Sequence, residues 1–186
     1  MSRAIYSVTL REICLQVILQ VCIPFDKGFS MGSFQDALRC LPPSKLFVNK
    51  KSGTVTSYRL SDACPEVSST EKSKPALVFL HGFNGSSKSW CQQISYFNEN
   101  VVIAIDAPGF GESHVVGDSM VAIANETAGL IRDLDLGPVV IIGHSMGGMQ
   151  AQIIASKYPD LCAGLVLSCT HKGYACPFGT PLDEAV

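Results

Sequence analysis

Short runs of consecutive apolar residues recur through the middle of the chain. Each run is apolar at both odd and even positions, which suits strands buried on both faces of a parallel sheet. These runs predict strands over residues 76–80, 101–105, 139–142 and 164–167. Earlier in the chain, residues 45–48 and 54–60 flank a turn-like segment, 50–53, and the second run alternates between its two faces, which predicts a β-hairpin.

The intervals between these runs carry apolar residues at helical spacing. Trp90, Ile94 and Phe97 predict one amphipathic helix behind serine caps at positions 86 and 87. A second helix is predicted over residues 120–134, closed by Gly137, and a third over 145–157. A hairpin followed by alternating strands and helices predicts an α/β fold with a mostly parallel sheet and helices on both faces.

The composition is that of a chain with a sizeable core. Of its 186 residues, 47% are hydrophobic and 16% are charged, which excludes disorder along the whole length. The formal net charge is −2 and there is no basic cluster, so the sequence gives no electrostatic reason to expect nucleic acid or an anionic membrane. We therefore expect the partner to be a small molecule or another protein.

Residues 1–30 form an N-terminal extension whose role the sequence leaves open. Their longest apolar stretch, 13–25, is shorter than the about 20 residues that a membrane-spanning helix needs. Because Met31 offers an alternative start, the extension is a targeting segment, a helical addition or an artefact of the reading frame. The domain proper is predicted to occupy residues 31–186.

The chain contains eight cysteines, but none of them forms a C-x-x-C pair. This argues against a zinc site and predicts reduced thiols, as in a cytoplasmic protein. The sequence does not indicate an oligomeric state.

The strongest chemical signal is a G-x-S-x-G motif within VVIIGHSMGG at residues 139–148. A serine at the tip of a tight strand-to-helix turn is exposed for nucleophilic attack, and such a turn closes only when small residues flank it. Gly143 and Gly147 meet that need, so we interpret Ser145 as a nucleophile. The alternative is an ordinary glycine-rich turn, and the predicted strand before the motif and helix after it argue against that.

A nucleophilic serine also needs N–H groups that stabilise the oxyanion formed on its substrate. The N–H of Met146 would lie at the start of the predicted helix, where the helix dipole favours negative charge. The second donor would be the N–H of Phe83, in a loop that follows a buried strand and can turn at Gly82. We interpret His81, in the same loop, as a structural residue that supports the turn.

A third motif, DAPGFGES, follows the next predicted strand at residues 106–113. Its proline and glycines indicate a rigid turn, and Asp106 and Ser113 can form hydrogen bonds to nearby backbone. A structural role is therefore favoured over a chemical one.

Together, the motifs HGF, DAPGFGES and GHSMGG resemble those of the α/β-hydrolase family over about residues 45–175. The resemblance implies a nucleophile elbow after the fifth strand and acyl transfer from an ester or lactone to water, with no metal or organic cofactor. A Phe after the His-Gly pair (Phe83) and a Met after the serine (Met146) make these motifs most similar to those of one subgroup. That subgroup contains enol-lactone hydrolases, haloperoxidase-like esterases and carbon–carbon bond hydrolases. Epoxide hydrolases and haloalkane dehalogenases share the surrounding motifs but carry Asp where this chain has Ser145.

In that family, the catalytic acid and then the base follow the nucleophile along the chain. Here Asp160 is expected at the far end of the elbow helix, and His171 has no acid before it within reach. Two hypotheses follow. The chain is either the N-terminal part of a serine hydrolase, inactive by itself, or a non-catalytic binding or regulatory module.

Overall fold

The computed structural model describes residues 31–61 and 74–171. The N-terminal extension, residues 1–30, lies outside these ranges. In the described part of the chain, six strands form one sheet: β1 (Ser44–Val48), β2 (Val55–Leu60), β3 (Leu77–Leu80), β4 (Val102–Ile105), β5 (Val139–His144) and β6 (Cys162–Ser168).

The strand order is β1-β2-β4-β3-β5-β6. Strands β1 and β2 form the predicted antiparallel hairpin, and β2 pairs antiparallel with β4. Strands β4, β3, β5 and β6 are mutually parallel. This is the mostly parallel sheet that the sequence predicts. Because β3 lies between β4 and β5, the loops that follow these three strands meet at one edge of the sheet.

The described helices are α1 (Met31–Arg39), α2 (Cys91–Tyr96), α3 (Met120–Asp133) and α4 (Met146–Lys157). Helix α3 begins at the N-cap Ser119, whose side chain accepts a hydrogen bond from the N–H of Ala122. Beyond its end, Gly137 has a φ of 69°, which is the left-handed conformation expected for a glycine after a helix.

The first predicted helix departs from a regular α-helix. It starts as a 3₁₀ turn, Ser87–Trp90, capped by the Ser86 side chain, and continues as the short α2. The N–H of Ser87 donates to the carboxylate of Asp106 at 2.6 Å. This tertiary hydrogen bond fixes the first turn, and it could not be seen in the spacing of apolar residues.

Side chains of alternate parity on the central strands enter two separate cores. On β3, Val78 and Leu80 pack with residues of α3 and α4, whereas Leu77 and Phe79 pack with Trp90 and the residues of α2. The four β3 side chains are at most 1% exposed. Helices therefore cover both faces of the sheet, which explains why these strands are apolar at both parities.

Strand β6 differs from this pattern. Its consecutive apolar residues predict burial on both faces, but Leu165 and Leu167 are 37% and 43% exposed. Within the described structure, β6 pairs with β5 alone and forms one edge of the sheet, so this prediction is wrong for β6.

Asp106, directly after β4, joins three segments that are distant in sequence. It is 5% exposed, and its carboxylate accepts hydrogen bonds from the N–H of Ser87 and from the hydroxyl of Ser57. The hydroxyl of Ser113 donates to the Asp106 carbonyl at 2.7 Å and accepts from the N–H of Ser57 at 2.8 Å. The DAPGFGES turn is thus fastened to β2 and to the 3₁₀ turn.

We expect Asp106→Ala to lower the free energy of unfolding by about 2–4 kcal/mol, because it leaves the buried N–H of Ser87 and the hydroxyl of Ser57 without their acceptor. Chemical denaturation measures the change. Asp106→Asn, which keeps one acceptor oxygen, should cost less. Exposed Asp118→Ala is the control, and equal effects for Asp106→Ala and Asp118→Ala would contradict this role.

Candidate active site

Ser145 lies between the end of β5 and the start of α4, in the strand–turn–helix arrangement that the sequence predicts. Its φ is 51° and its ψ is −116°, a conformation that residues with a side chain rarely adopt. Such a backbone costs about 1–3 kcal/mol and persists only where the surrounding structure imposes it. The strain presents the side chain of Ser145 at the carboxyl end of the sheet.

Close packing around the turn explains why glycines flank it. A Cβ on Gly143 would lie 2.4 Å from the carbonyl oxygen of Gly147. A Cβ on Gly147 would lie 2.2 Å from the carbonyl oxygen of Leu80, at the end of β3. The first turn of α4 is therefore pressed against β5 and β3, and only glycine fits at these two contacts.

The loop after β3 approaches Ser145 from the side. A Cβ on Gly82 would lie 3.3 Å from the Cβ of Ser145, so the backbone of this loop lies against the serine. Phe83 follows, half exposed, with its ring edge-on to Phe110 at 5.8 Å between centroids. The Phe83 segment and the first turn of α4, with Met146, thus both lie next to Ser145. Their roles as oxyanion donors stay predictions.

His81 is a buried histidine that bridges two loops. Its Nδ1–H donates to the carbonyl of Gly82 at 2.7 Å, and its Nε2 accepts from the N–H of Ala107 at 3.0 Å, which requires the neutral imidazole. Burial lowers the pKa of His81, against smaller raising effects from the Gly82 hydrogen bond and from Asp106. A neutral His81 ties the loop after β3 to the loop after β4.

An open cleft of about 490 Å³ lies in front of Ser145. The described residues that line it are His81, Gly82, Phe83, Asn84, Gly85, Ser89, Trp90, His144 and Ser145. Sequence reasoning gave no role in the site to five of these residues: Asn84, Gly85, Ser89, Trp90 and His144. Trp90 was identified only as a core residue, and His144, the middle residue of the G-x-S motif, was given no role although its position beside the serine could have suggested one.

The lining of the cleft includes the rings of His144 and Trp90. Burial lowers the pKa of His144, so its imidazole is neutral near pH 7. Trp90 is 2% exposed, and its indole N–H has no acceptor within the described part of the chain.

The two acid–base candidates that follow Ser145 lie away from the cleft lining. Asp160, beyond the end of α4, pairs on the surface with Arg132 at 3.3 Å. The backbone carbonyl of His171 accepts from the Gln152 side chain at 3.2 Å, along α4.

In residues 31–61 and 74–171, no three His, Cys, Asp or Glu side chains are grouped as metal ligands would be. Among the described helices, none has both the length and the apolarity to cross a bilayer.

Comparison with known proteins places the chain in a family. Residues 75–184 match the alpha/beta hydrolase fold family, and the chain belongs to it. It is 33% identical over 144 residues to mouse Epoxide hydrolase 4, covering 73% of this chain and 40% of that protein. It is 34% identical over 153 residues to the mouse sn-1-specific diacylglycerol lipase ABHD11, covering 80% of this chain and 43% of that protein.

A solved structure with the same fold is a thermophilic esterase from Thermogutta terrifontis, with a TM-score of 0.58 and 31% identity. The match covers 73% of this chain and 48% of the esterase. The chain therefore spans less than half the length of these relatives, and it corresponds to the N-terminal part of an alpha/beta hydrolase. The relatives include an epoxide hydrolase as well as a lipase and an esterase, so membership by itself does not select the ester or lactone chemistry.

His81 makes a testable contribution to the pH dependence of stability. Because its folded-state pKa is lowered, the unfolded chain takes up a proton first as the pH falls below about 6.5, and the free energy of unfolding decreases. His81→Gln should make the decrease between pH 7 and 5 shallower, by at most about 1.4 kcal/mol per pH unit.

Denaturation at a series of pH values measures these slopes. His114→Gln, at an exposed histidine, is the control. If the slope for His81→Gln equals the wild-type slope, His81 is not held neutral in the folded chain.

Proposed function

We propose that this chain carries the nucleophile half of a serine hydrolase that transfers an acyl group from an ester or lactone to water. The observation that carries the proposal is the strained backbone of Ser145. This serine lines a cleft, and the other lining residues come from the segment that follows β3 and from the end of the parallel strand β5. A nucleophile gains exposure from such a backbone, because the tight turn projects its side chain out of the sheet.

In the proposed reaction, the Oγ of Ser145 attacks the carbonyl carbon of the substrate while a general base takes the hydroxyl proton. The N–H groups of Phe83 and Met146 stabilise the negative charge that develops on the carbonyl oxygen, and each such donor is worth about 3–4 kcal/mol. Collapse of the intermediate expels the alcohol and leaves an acyl-serine. Water then attacks the acyl-serine and releases the acid. The resemblance to the family puts the base after Ser145 along the chain, and we assign no described residue to it.

The neutral lining of the cleft and two of the relatives support an ester as substrate. The described lining consists of aromatic rings, glycines and neutral polar groups, with both histidines shifted toward the neutral form. A lipase and an esterase are among the proteins that the chain resembles, which agrees with an ester as substrate.

A fluorophosphonate probe should label the longest expressed form of the protein that contains this chain, and Ser145→Ala should abolish the labelling because the attacking oxygen is gone. Gel fluorescence and peptide mass spectrometry identify the labelled residue. Ser52→Ala, in the exposed hairpin turn, is the matched control and should label normally. Labelling that persists in Ser145→Ala would reject Ser145 as the nucleophile.

The 186-residue chain by itself should hydrolyse p-nitrophenyl acetate slowly. No hydrogen-bond partner for the Ser145 hydroxyl is present in the described part of the chain, and a serine without its base is a poor nucleophile. We expect hydrolysis to be only ~10³ to 10⁴-fold faster than the uncatalysed reaction in water, which is the acceleration that binding and the oxyanion donors supply without a triad. Turnover at ordinary enzyme rates that is lost in His171→Ala would show that His171 acts as the base.

A further inference from the structure

Both main-chain polar groups of Ser145 form hydrogen bonds with the end of β6 or with the segment that follows it. The N–H of Ser145 donates to the carbonyl of Ser168 at 2.9 Å. The carbonyl of Ser145 accepts a hydrogen bond from the hydroxyl of Thr170 at 2.8 Å. The strained residue is thus held on both sides by residues more than twenty positions further along the chain.

Thr170 also packs closely on α4. A Cβ on Gly148 would lie 2.6 Å from both the Cβ and the Cγ2 of Thr170, so the threonine occupies the space that this glycine leaves open. Its hydroxyl is therefore placed by shape as well as by hydrogen bonding. The Ser145 carbonyl also accepts from the N–H groups of Gly148 at 2.9 Å and Met149 at 3.2 Å, so three donors fix its direction.

The direction of this carbonyl matters because the C=O of Ser145 and the N–H of Met146 belong to one planar peptide group. In a trans peptide, these two bonds point in opposite directions, and a rotation of one rotates the other. Holding the Ser145 carbonyl toward Thr170 and the helix therefore sets the direction of the Met146 N–H on the opposite side of the peptide.

We propose that Thr170 is a positioning residue that orients the Met146 N–H as an oxyanion donor through its hydrogen bond to the Ser145 carbonyl. The inference rests on the proposed function, in which Met146 is one of the two donors. Thr170 is not among the described residues that line the cleft, and its effect is confined to steps in which negative charge develops on a carbonyl oxygen.

The test uses the 186-residue chain with Ser145→Cys, because a thiol ionises without a general base near pH 8.5. The thiolate sulfur attacks p-nitrophenyl acetate, p-nitrophenolate leaves, and a thioester forms through an oxyanion intermediate. Iodoacetamide alkylates the same thiolate, with loss of iodide and without any oxyanion. Peptide mass spectrometry follows position 145 separately from the native cysteines, and the ratio of the two rates reports the oxyanion donors.

Adding Thr170→Val, which keeps the branched shape but removes the hydroxyl, should lower the acylation rate by about tenfold. The alkylation rate should stay within about twofold. Thr170→Ser, which restores the hydroxyl, should recover most of the acylation rate. A purely structural role would change both reactions together, because it would alter the exposure of the thiol.

Two controls make each outcome decisive. Thr54→Val, at a half-buried threonine in the hairpin, should leave the ratio unchanged, and thermal melting by circular dichroism verifies that the variants fold. If Thr170→Val does not fold, Thr170→Ala replaces it, with the same expected loss.

The outcomes also separate this inference from the proposed function. In one outcome, the ratio of acylation rate to alkylation rate is higher at position 145 than at exposed Cys40, and Thr170→Val does not change it. This result would overturn the role of Thr170 alone. Acylation at position 145 that is no faster than at Cys40 would overturn the oxyanion site and the role of Thr170 with it.

Discussion

The close approach of the first turn of α4 to the ends of β3 and β5 is the contact on which the candidate site depends. The approach is possible because Gly143 and Gly147 present no side chain where the backbones meet. It forces Ser145 into a left-handed backbone, at a cost of about 1–3 kcal/mol that the packing of the surrounding sheet and helix offsets. The same contact brings the N–H groups at the start of α4 next to the loop after β3.

Buried polar groups hold that loop in place. His81 uses both ring nitrogens to connect backbone groups of the loops after β3 and β4, and Asp106 connects the second loop to β2 and to the 3₁₀ turn beside the cleft. A buried polar group without a partner costs about 1–3 kcal/mol, so each of these bonds restricts the loops to one arrangement. Hydrogen bonds therefore hold the loops beside the cleft, whereas the two apolar cores stabilise the sheet.

Comparison with the longer relatives shows which parts of an alpha/beta hydrolase this chain contains. The chain covers less than half of the lipase and of the epoxide hydrolase that it resembles, and it contains the elbow, the cleft and both loops that border the cleft. In the proposed reaction, these features bind the substrate and stabilise charge on it. Proton transfer requires a general base in addition to these features. We therefore expect attack by the nucleophile and stabilisation of the oxyanion to be measurable in this chain without full turnover.

The sequence by itself determined the strands, most of the helices and the elbow, because each depends on local properties: apolar runs, helical spacing and glycines at a tight turn. Ser145, Gly143 and Gly147 could be identified for that reason. Only the tertiary structure decided that β6 is exposed on one face, that the first helix begins as a 3₁₀ turn, and that Trp90 and His144 line the cleft. It also decided that Thr170 holds the carbonyl of a residue 25 positions earlier. Except for His144, which lies within the motif itself, these features arise from contacts between segments that are distant along the chain. Such contacts leave no periodic or motif signal in the sequence.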